Sequence, residues 1–236
     1  MKYMGSKARF TKDIMPIILD GRLDNQWYVE PFAGGMNSIC EVSGNRIAND
    51  IHKNLIEMWR KLIDGWIPEK VTKDHYNSIR NNQDVYSDAY VGWVGFNCSY
   101  SGKWFGGYAG ETVTKIGTIR DYQTEAINNV SKQVKKMNGV VFRNQSYLDL
   151  EIPDHSIVYC DPPYQHTTEY ANSFSHTRFW DWGRDLSSQG HSVFVSEYNA
   201  PNDFECIWSK KVKSSLSANG RGGSSKLSVE RLFKIK

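Results

Sequence analysis

Cysteine is scarce and scattered in this chain. Four residues, Cys40, Cys98, Cys160 and Cys206, lie far apart among 236 positions with no C-x-x-C pair. That excludes a disulfide framework and the usual zinc spacings. No apolar run approaches bilayer-spanning length, and residues 1–20 lack the layout of a signal peptide. A reduced, cytoplasmic protein without membrane association is the expectation. Internal repeats, low-complexity tails and a G-x-G-x-x-G fingerprint are also missing. Neither sign of charge dominates, and the formal net charge is only +3. Acid is nevertheless rare locally. Residues 207–236 carry eight Lys or Arg against one acid, Glu230, which reads as a phosphate-facing surface or as an ordinary solvated face.

What the chain does contain is most informative at Asp161-Pro162-Pro163-Tyr164, which follows the apolar run Ile157-Val158-Tyr159-Cys160. A buried strand here enters a rigid polar loop, because consecutive prolines fix the backbone and offer no N–H. A carboxylate and bare carbonyls make a row of acceptors, and an aromatic ring stands one step beyond. Such a row suits a planar base with an exocyclic NH2 group, gripped at its edge and stacked on its face. A strand-ending turn is the plain alternative for one motif alone. A second motif, YVEPFAGG at 28–35, is a strand, an acid at its end and a Gly pair expected to open a short helix at about 38–42. A third, IANDI at 47–51, ends an apolar stretch on Asp50, where doubly wound folds hold ribose hydroxyls. Asp50 could equally cap the helix that begins near His52.

In that order YVEPFAGG, IAND and DPPY resemble the Dam-type (D12 class) adenine-N6-specific DNA methyltransferases. KYMGSK at 2–7 is similar to the family's aromatic–x–Gly–x–Lys segment, which closes over the methyl donor. The resemblance implies an α/β fold, a Rossmann-like S-adenosylmethionine-dependent methyltransferase sheet flanked by helices, with a small inserted target-recognition region and hairpin. The catalytic domain would comprise residues 1–64 and 119–236, and the DNA-recognition insertion residues 65–118. The implied activity is site-specific transfer of a methyl group from S-adenosylmethionine to N6 of an adenine in double-stranded DNA. Methylation of cytosine N4, methylation of RNA adenine, or silent DNA binding remain as alternatives. A separate restriction endonuclease would be a partner if the protein is not an orphan modifier.

The same resemblance distributes roles. Asp161, Pro162 and Tyr164 would be catalytic, the first two accepting from the amine and the ring stacking on a base swung out of the duplex. Tyr3, Lys7, Glu30, Phe32, Gly34, Asp50 and Asp161 would surround the donor. Lys103, Trp104 and Tyr108, with Phe105, lie in a glycine-rich segment that could contact DNA or pack the insertion. Arg221 falls in a loop that could touch phosphates. Ser196-Glu197-Tyr198 sits where the family has a segment near the target base, with Glu197 in place of the usual amide. The segment at 94–110 departs from the family's usual wording, so the resemblance leaves both strict and relaxed specificity open.

Periodicity predicts helices at about 7–19, 53–62 and 122–136. Strands are predicted at about 28–29, 46–48, 140–142, 157–160, 192–196 and 229–234. Residues 94–110 read as a glycine-rich hairpin or ordered loop.

Overall fold

A computed structural model of the protein describes residues 1–164, 174–213 and 227–235. Its strands are β1 (Tyr28–Glu30), β2 (Arg46–Asn49), β3 (Glu111–Val113), β4 (Ile119–Asp121), β5 (Val140–Arg143), β6 (Ile157–Cys160), β7 (Ser192–Glu197), β8 (Phe204–Lys213) and β9 (Leu227–Ile235). The helices are α1 (Thr11–Ile18), α2 (Lys53–Ile63), α3 (Lys73–Asn81), α4 (Asp88–Gly92), α5 (Tyr122–Val134) and α6 (His176–Ser188). Seven strands form one sheet in the order β5-β2-β1-β6-β7-β9-β8. The first five run parallel, and β9 lies antiparallel between β7 and β8.

Parallel strands covered on both faces need apolar residues throughout, which is why β1, β2 and β6 are buried along their whole length. Alternate residues then enter two cores. Tyr28, Ala48, Ile157 and Tyr159 join side chains of α1, α2 and α5 on one face. Val29, Ile47, Val158 and Cys160 join Phe179, Trp180 and Leu186 of α6 on the other. This is a Rossmann-like α/β sheet flanked by helices. The chain builds β1, β2 and β5 outward to one side, then returns to build β6 and β7 on the other. That reversal leaves a crevice beyond the carboxyl ends of β1 and β6, where open α/β sheets bind ligands.

Several elements differ from the sequence reading. The Gly34-Gly35 pair does not open an α-helix. Only a 3-10 turn at Ile39–Glu41 follows, because Val42 is already extended and Gly44 turns the chain at φ 74. The regular hairpin is β3–β4, later than residues 94–110. There, the π-helical turn Trp93–Asn97 that continues α4 runs into the segment, and a single antiparallel bridge joins Ser99 to Tyr108. Residues 65–118 pack on the core, with Tyr76, Ile79, Trp93 and Phe96 buried in the cluster that holds α2. Strand β8 and helix α6 were not anticipated. Arg221 lies outside the described residues. Among the described residues no helix is long and apolar enough to cross a membrane.

Candidate active site

Beyond the ends of β1, β2 and β6 lies a cleft of about 460 Å³, within the range of small-ligand sites. Tyr3, Lys7, Glu30, Phe32, Gly34, Asp50, Asp161, Pro162 and Tyr164 all line it. Every donor-site and catalytic residue expected from the sequence therefore shares one space.

At one end of the cleft, Asp50 leaves β2 with both carboxylate oxygens engaged. Gly34 N–H donates to Oδ2 at 3.0 Å, and His52 N–H donates to Oδ1 at 2.9 Å. Burial raises the Asp50 pKa, and these two backbone donors work against that rise. The N-cap position of α2 is His52, so Asp50 accepts just ahead of the helix and is not its cap, while its bond to Gly34 ties the glycine turn to the tip of β2. Asn49, one residue earlier, donates to the carbonyls of Pro31 and Gln145 at 3.0 Å each, stitching three loops together. Phe32 packs against Tyr147 and Phe174 with ring centroids 5.1 and 5.8 Å apart, and all three rings line the cleft.

The glycines at the turn answer to a protein neighbour. A Cβ on Gly34 would lie 2.9 Å from the Tyr3 ring, and one on Gly35 would lie 2.7 Å from Tyr3 Cβ. The N-terminal segment is consequently seated on the turn. Asn37 secures it, donating to the Met1 carbonyl at 3.2 Å and to Ser6 Oγ at 2.8 Å.

Lys7 sits at the centre of the other end. Its ammonium is 2.9 Å from Asp161 Oδ1, 3.9 Å from Glu230 Oε2 and 4.2 Å from the centroid of the Tyr164 ring. It also donates to the Gly5 carbonyl at 3.2 Å. Tyr164 donates its hydroxyl to Glu230 Oε2 at 3.1 Å and meets Tyr198 edge-on at 4.7 Å. Asp161 is pushed up in pKa by burial, pulled back by Lys7, and raised again by the negative charge of Glu230. Glu30, buried at the end of β1, accepts the Tyr28 hydroxyl at 2.7 Å. Burial above all raises its pKa to about 8, so the Glu30 carboxyl is largely protonated at neutral pH.

Of the expected DNA contacts, the described residues Lys103, Trp104 and Tyr108 lie outside the cleft lining. Trp104 packs on His52 and Phe96 with centroids 4.3 and 4.7 Å apart. Tyr108 donates to the Val71 carbonyl at 2.9 Å and stacks edge-on with Tyr76. For these two the packing alternative accounts for the contacts made. Lys103 is exposed on the same loop. That loop adjoins the N-terminal segment, since a Cβ on Gly102 would collide with the Lys2 carbonyl oxygen. Glu197 is buried at the end of β7, where its Oε1 accepts the Tyr198 N–H at 2.7 Å. Glu230, Asn49, Asn37 and Tyr147 were not singled out from the sequence. For Glu230 a signal existed, as the one acid in a basic stretch.

A switch-point cleft closed by a glycine turn, a carboxylate at the tip of β2 and Asp-Pro-Pro-Tyr beyond β6 defines a methyltransferase fold of the S-adenosylmethionine-dependent class. The model of the D12 class N6 adenine-specific DNA methyltransferase family matches residues 3–97 and 101–196. The chain belongs to that family. Among solved structures it is similar to a protein described as a methylase from Haemophilus influenzae, at 12% identity over 98% of this chain and 99% of that one, with TM-score 0.35. It is also similar to a protein described as the methyltransferase yhhF from Escherichia coli, at 10% identity over 96% and 84% of the two chains, TM-score 0.37. A third is the tRNA (m1A58) methyltransferase TrmI from Aquifex aeolicus, at 11% identity over 95% and 69%, TM-score 0.37.

Proposed function

We propose that this protein methylates N6 of adenine in double-stranded DNA, with S-adenosylmethionine as donor. The observation that carries this reading is the single cleft shared by Asp161, Pro162 and Tyr164 with Gly34 and Asp50. The cleft residues fit the donor chemically. Asp50 presents a carboxylate for ribose hydroxyls, Phe32, Tyr147 and Phe174 offer an aromatic wall, and the 31–35 turn leads toward Asp161. When bound there, S-adenosylmethionine supplies an electrophilic methyl carbon.

The protein's own work is alignment. Adenine N6 is a poor nucleophile because its lone pair is delocalised into the ring. Acceptance of its two N–H groups by Asp161 and the Pro162 carbonyl would draw the nitrogen toward tetrahedral geometry and aim the lone pair at the donor. Tyr164 would hold the flipped base by its face. Rate enhancement then comes from orientation and a fitted electrostatic environment, with no covalent enzyme intermediate. Lys7 now covers part of the Tyr164 ring and pairs with Asp161, so it must shift as a base arrives. Residues 65–118, whose loop abuts Lys2 and Tyr3 at the cleft's rim, are the proposed recognition region.

Incubating the protein with labelled donor and duplex DNA, followed by mass spectrometry of the nucleosides, tests the reading. N6-methyladenine is the expected product. Label only in cytosine or only in RNA would replace it, and no transfer to any adenine-containing DNA would refute it.

A further inference from the structure

Glu230 is a carboxylate in a stretch of basic sequence, and the mechanism above makes no use of it. It lies on β9 opposite Lys210 of β8, one residue beyond the register that pairs Arg231 with Glu197 of β7. Its side chain is only 13% exposed. From this fixed position one oxygen, Oε2, accepts the Tyr164 hydroxyl and stands 3.9 Å from the Lys7 ammonium. The same ammonium is 2.9 Å from Asp161 and lies over the Tyr164 ring. Two carboxylates thus flank one cation above the surface on which a base would stack. Tyr198 braces the ring edge-on, and Arg231, the next residue on β9, donates to the Tyr198 carbonyl.

An amine that engages Asp161 competes with Lys7 for its oxygens. With no second carboxylate, the displaced ammonium would keep only the neutral Gly5 carbonyl as partner in a largely enclosed site, which is unfavourable for a charge. Glu230 offers that carboxylate across a short gap.

We propose that Glu230 is a positioning residue: it anchors the Tyr164 ring through the hydroxyl and takes over the Lys7 ammonium as a nucleobase amine engages Asp161. The proposal rests on the reading of the site as an amine-methylating pocket. The titratable and charged groups facing Asp161 are Lys7 from the N-terminal segment, Glu30 from β1, Tyr159 and Cys160 from β6, Tyr164, Tyr198 after β7, and Glu230 from β9.

Glu230→Gln is the informative variant, because its amide oxygen still accepts the Tyr164 hydroxyl while the charge is gone. Its turnover on adenine-containing DNA should fall about tenfold, while affinity for S-adenosylhomocysteine stays within about twofold. The melting temperature should be unchanged. Titration of the Asp161 carboxyl by carbon-13 NMR should give a lower pKa than in the wild type, since a neighbouring negative charge has been removed. Glu230→Asp should restore that titration and most of the turnover. Wild-type turnover in Glu230→Gln, an unshifted Asp161, or parallel losses of donor affinity and turnover would each overturn the proposal. If the wild type methylates no DNA adenine, the amine reading falls by itself, and the Asp161 titration still decides whether Glu230 shares Lys7.

Discussion

Asp161 and Glu30 are two carboxyl groups in one cleft with opposite circumstances. Asp161 has Lys7 at 2.9 Å to favour its charged form, whereas Glu30 has only a phenol. Burial therefore leaves Glu30 near pKa 8. The consequence for stability follows from linkage. Below about pH 4.5 Glu30 is protonated both folded and unfolded; between there and about 8 only the unfolded chain gives up the proton, so stability falls as pH rises and levels off above. Glu30→Gln, which keeps an acceptor for Tyr28, should flatten that slope and raise the urea midpoint near pH 8 relative to the wild type. The gain should be on the order of a few kcal/mol at most, and an identical pH slope in the two proteins would disprove the assignment. Asp161→Asn tests the other carboxyl. It should lower turnover roughly a hundredfold or more and leave S-adenosylhomocysteine affinity within a few fold, as measured by calorimetry. Unchanged turnover would remove Asp161 from the chemistry. Both residues were visible in the sequence as acids ending apolar runs. Their difference was not, because it depends on the depth of burial of Glu30 beside Tyr28, its neighbour on the same strand face, and on Lys7, which reaches Asp161 only through the fold.

Elements were legible where packing demands a continuous apolar run. Strand β6 was read at its observed bounds, and β1, β2, β5, β7 and β9 within a few residues. Strands β1, β6 and most of β7 are buried on both faces and read as apolar runs, while β5 and β9 still carry short Val, Leu, Ile or Phe stretches. Strand β8 is an edge whose sequence mixes charged with apolar residues and shows no apolar run. Its FECIWSKKVK sequence exposes Glu205, Lys210 and Lys211, charges that protect an edge from pairing with other chains. Helix α6 was obscured by charged residues and Gly183, although Phe179, Trp180 and Leu186 bury one side. In residues 94–110 glycine suggested turns, yet two of the glycines near it serve close packing. A Cβ on Gly95 would collide with the Trp104 ring, and one on Gly92, in α4, would collide with the Asn54 carbonyl oxygen on α2. Backbone cannot yield as a flexible side chain does. Gly92→Ala should consequently push α2 and α4 apart and cost about 1–3 kcal/mol, read from the denaturant midpoint. A neutral result would mean that these helices are less closely packed than they stand here.

Across the whole molecule, the cleft gathers residues from the N-terminal segment, the β1 and β2 tips, the 145–147 loop and the β6 tip. A ligand seated there touches positions more than 150 residues apart in sequence, from Tyr3 to Phe174, so its binding energy is paid into the fold as a unit. Binding to the folded state alone adds about 2.7 kcal/mol of stability when ligand is present at roughly a hundred times its dissociation constant. For a chain of this length each kcal/mol corresponds to about 2–4 °C. S-adenosylhomocysteine at that concentration should therefore raise the melting temperature by roughly 5–10 °C. Asp50→Asn keeps an acceptor for Gly34 or His52 but removes the charge offered to ribose hydroxyls. Its ligand-free melting point should fall, because the amide NH2 faces one of the two backbone donors. At the same ligand concentration its melting shift, taken from that lower baseline, should be distinctly smaller than that of the wild type. An equal shift in both proteins, followed by scanning calorimetry, would place the ribose elsewhere and separate Asp50 from the donor site.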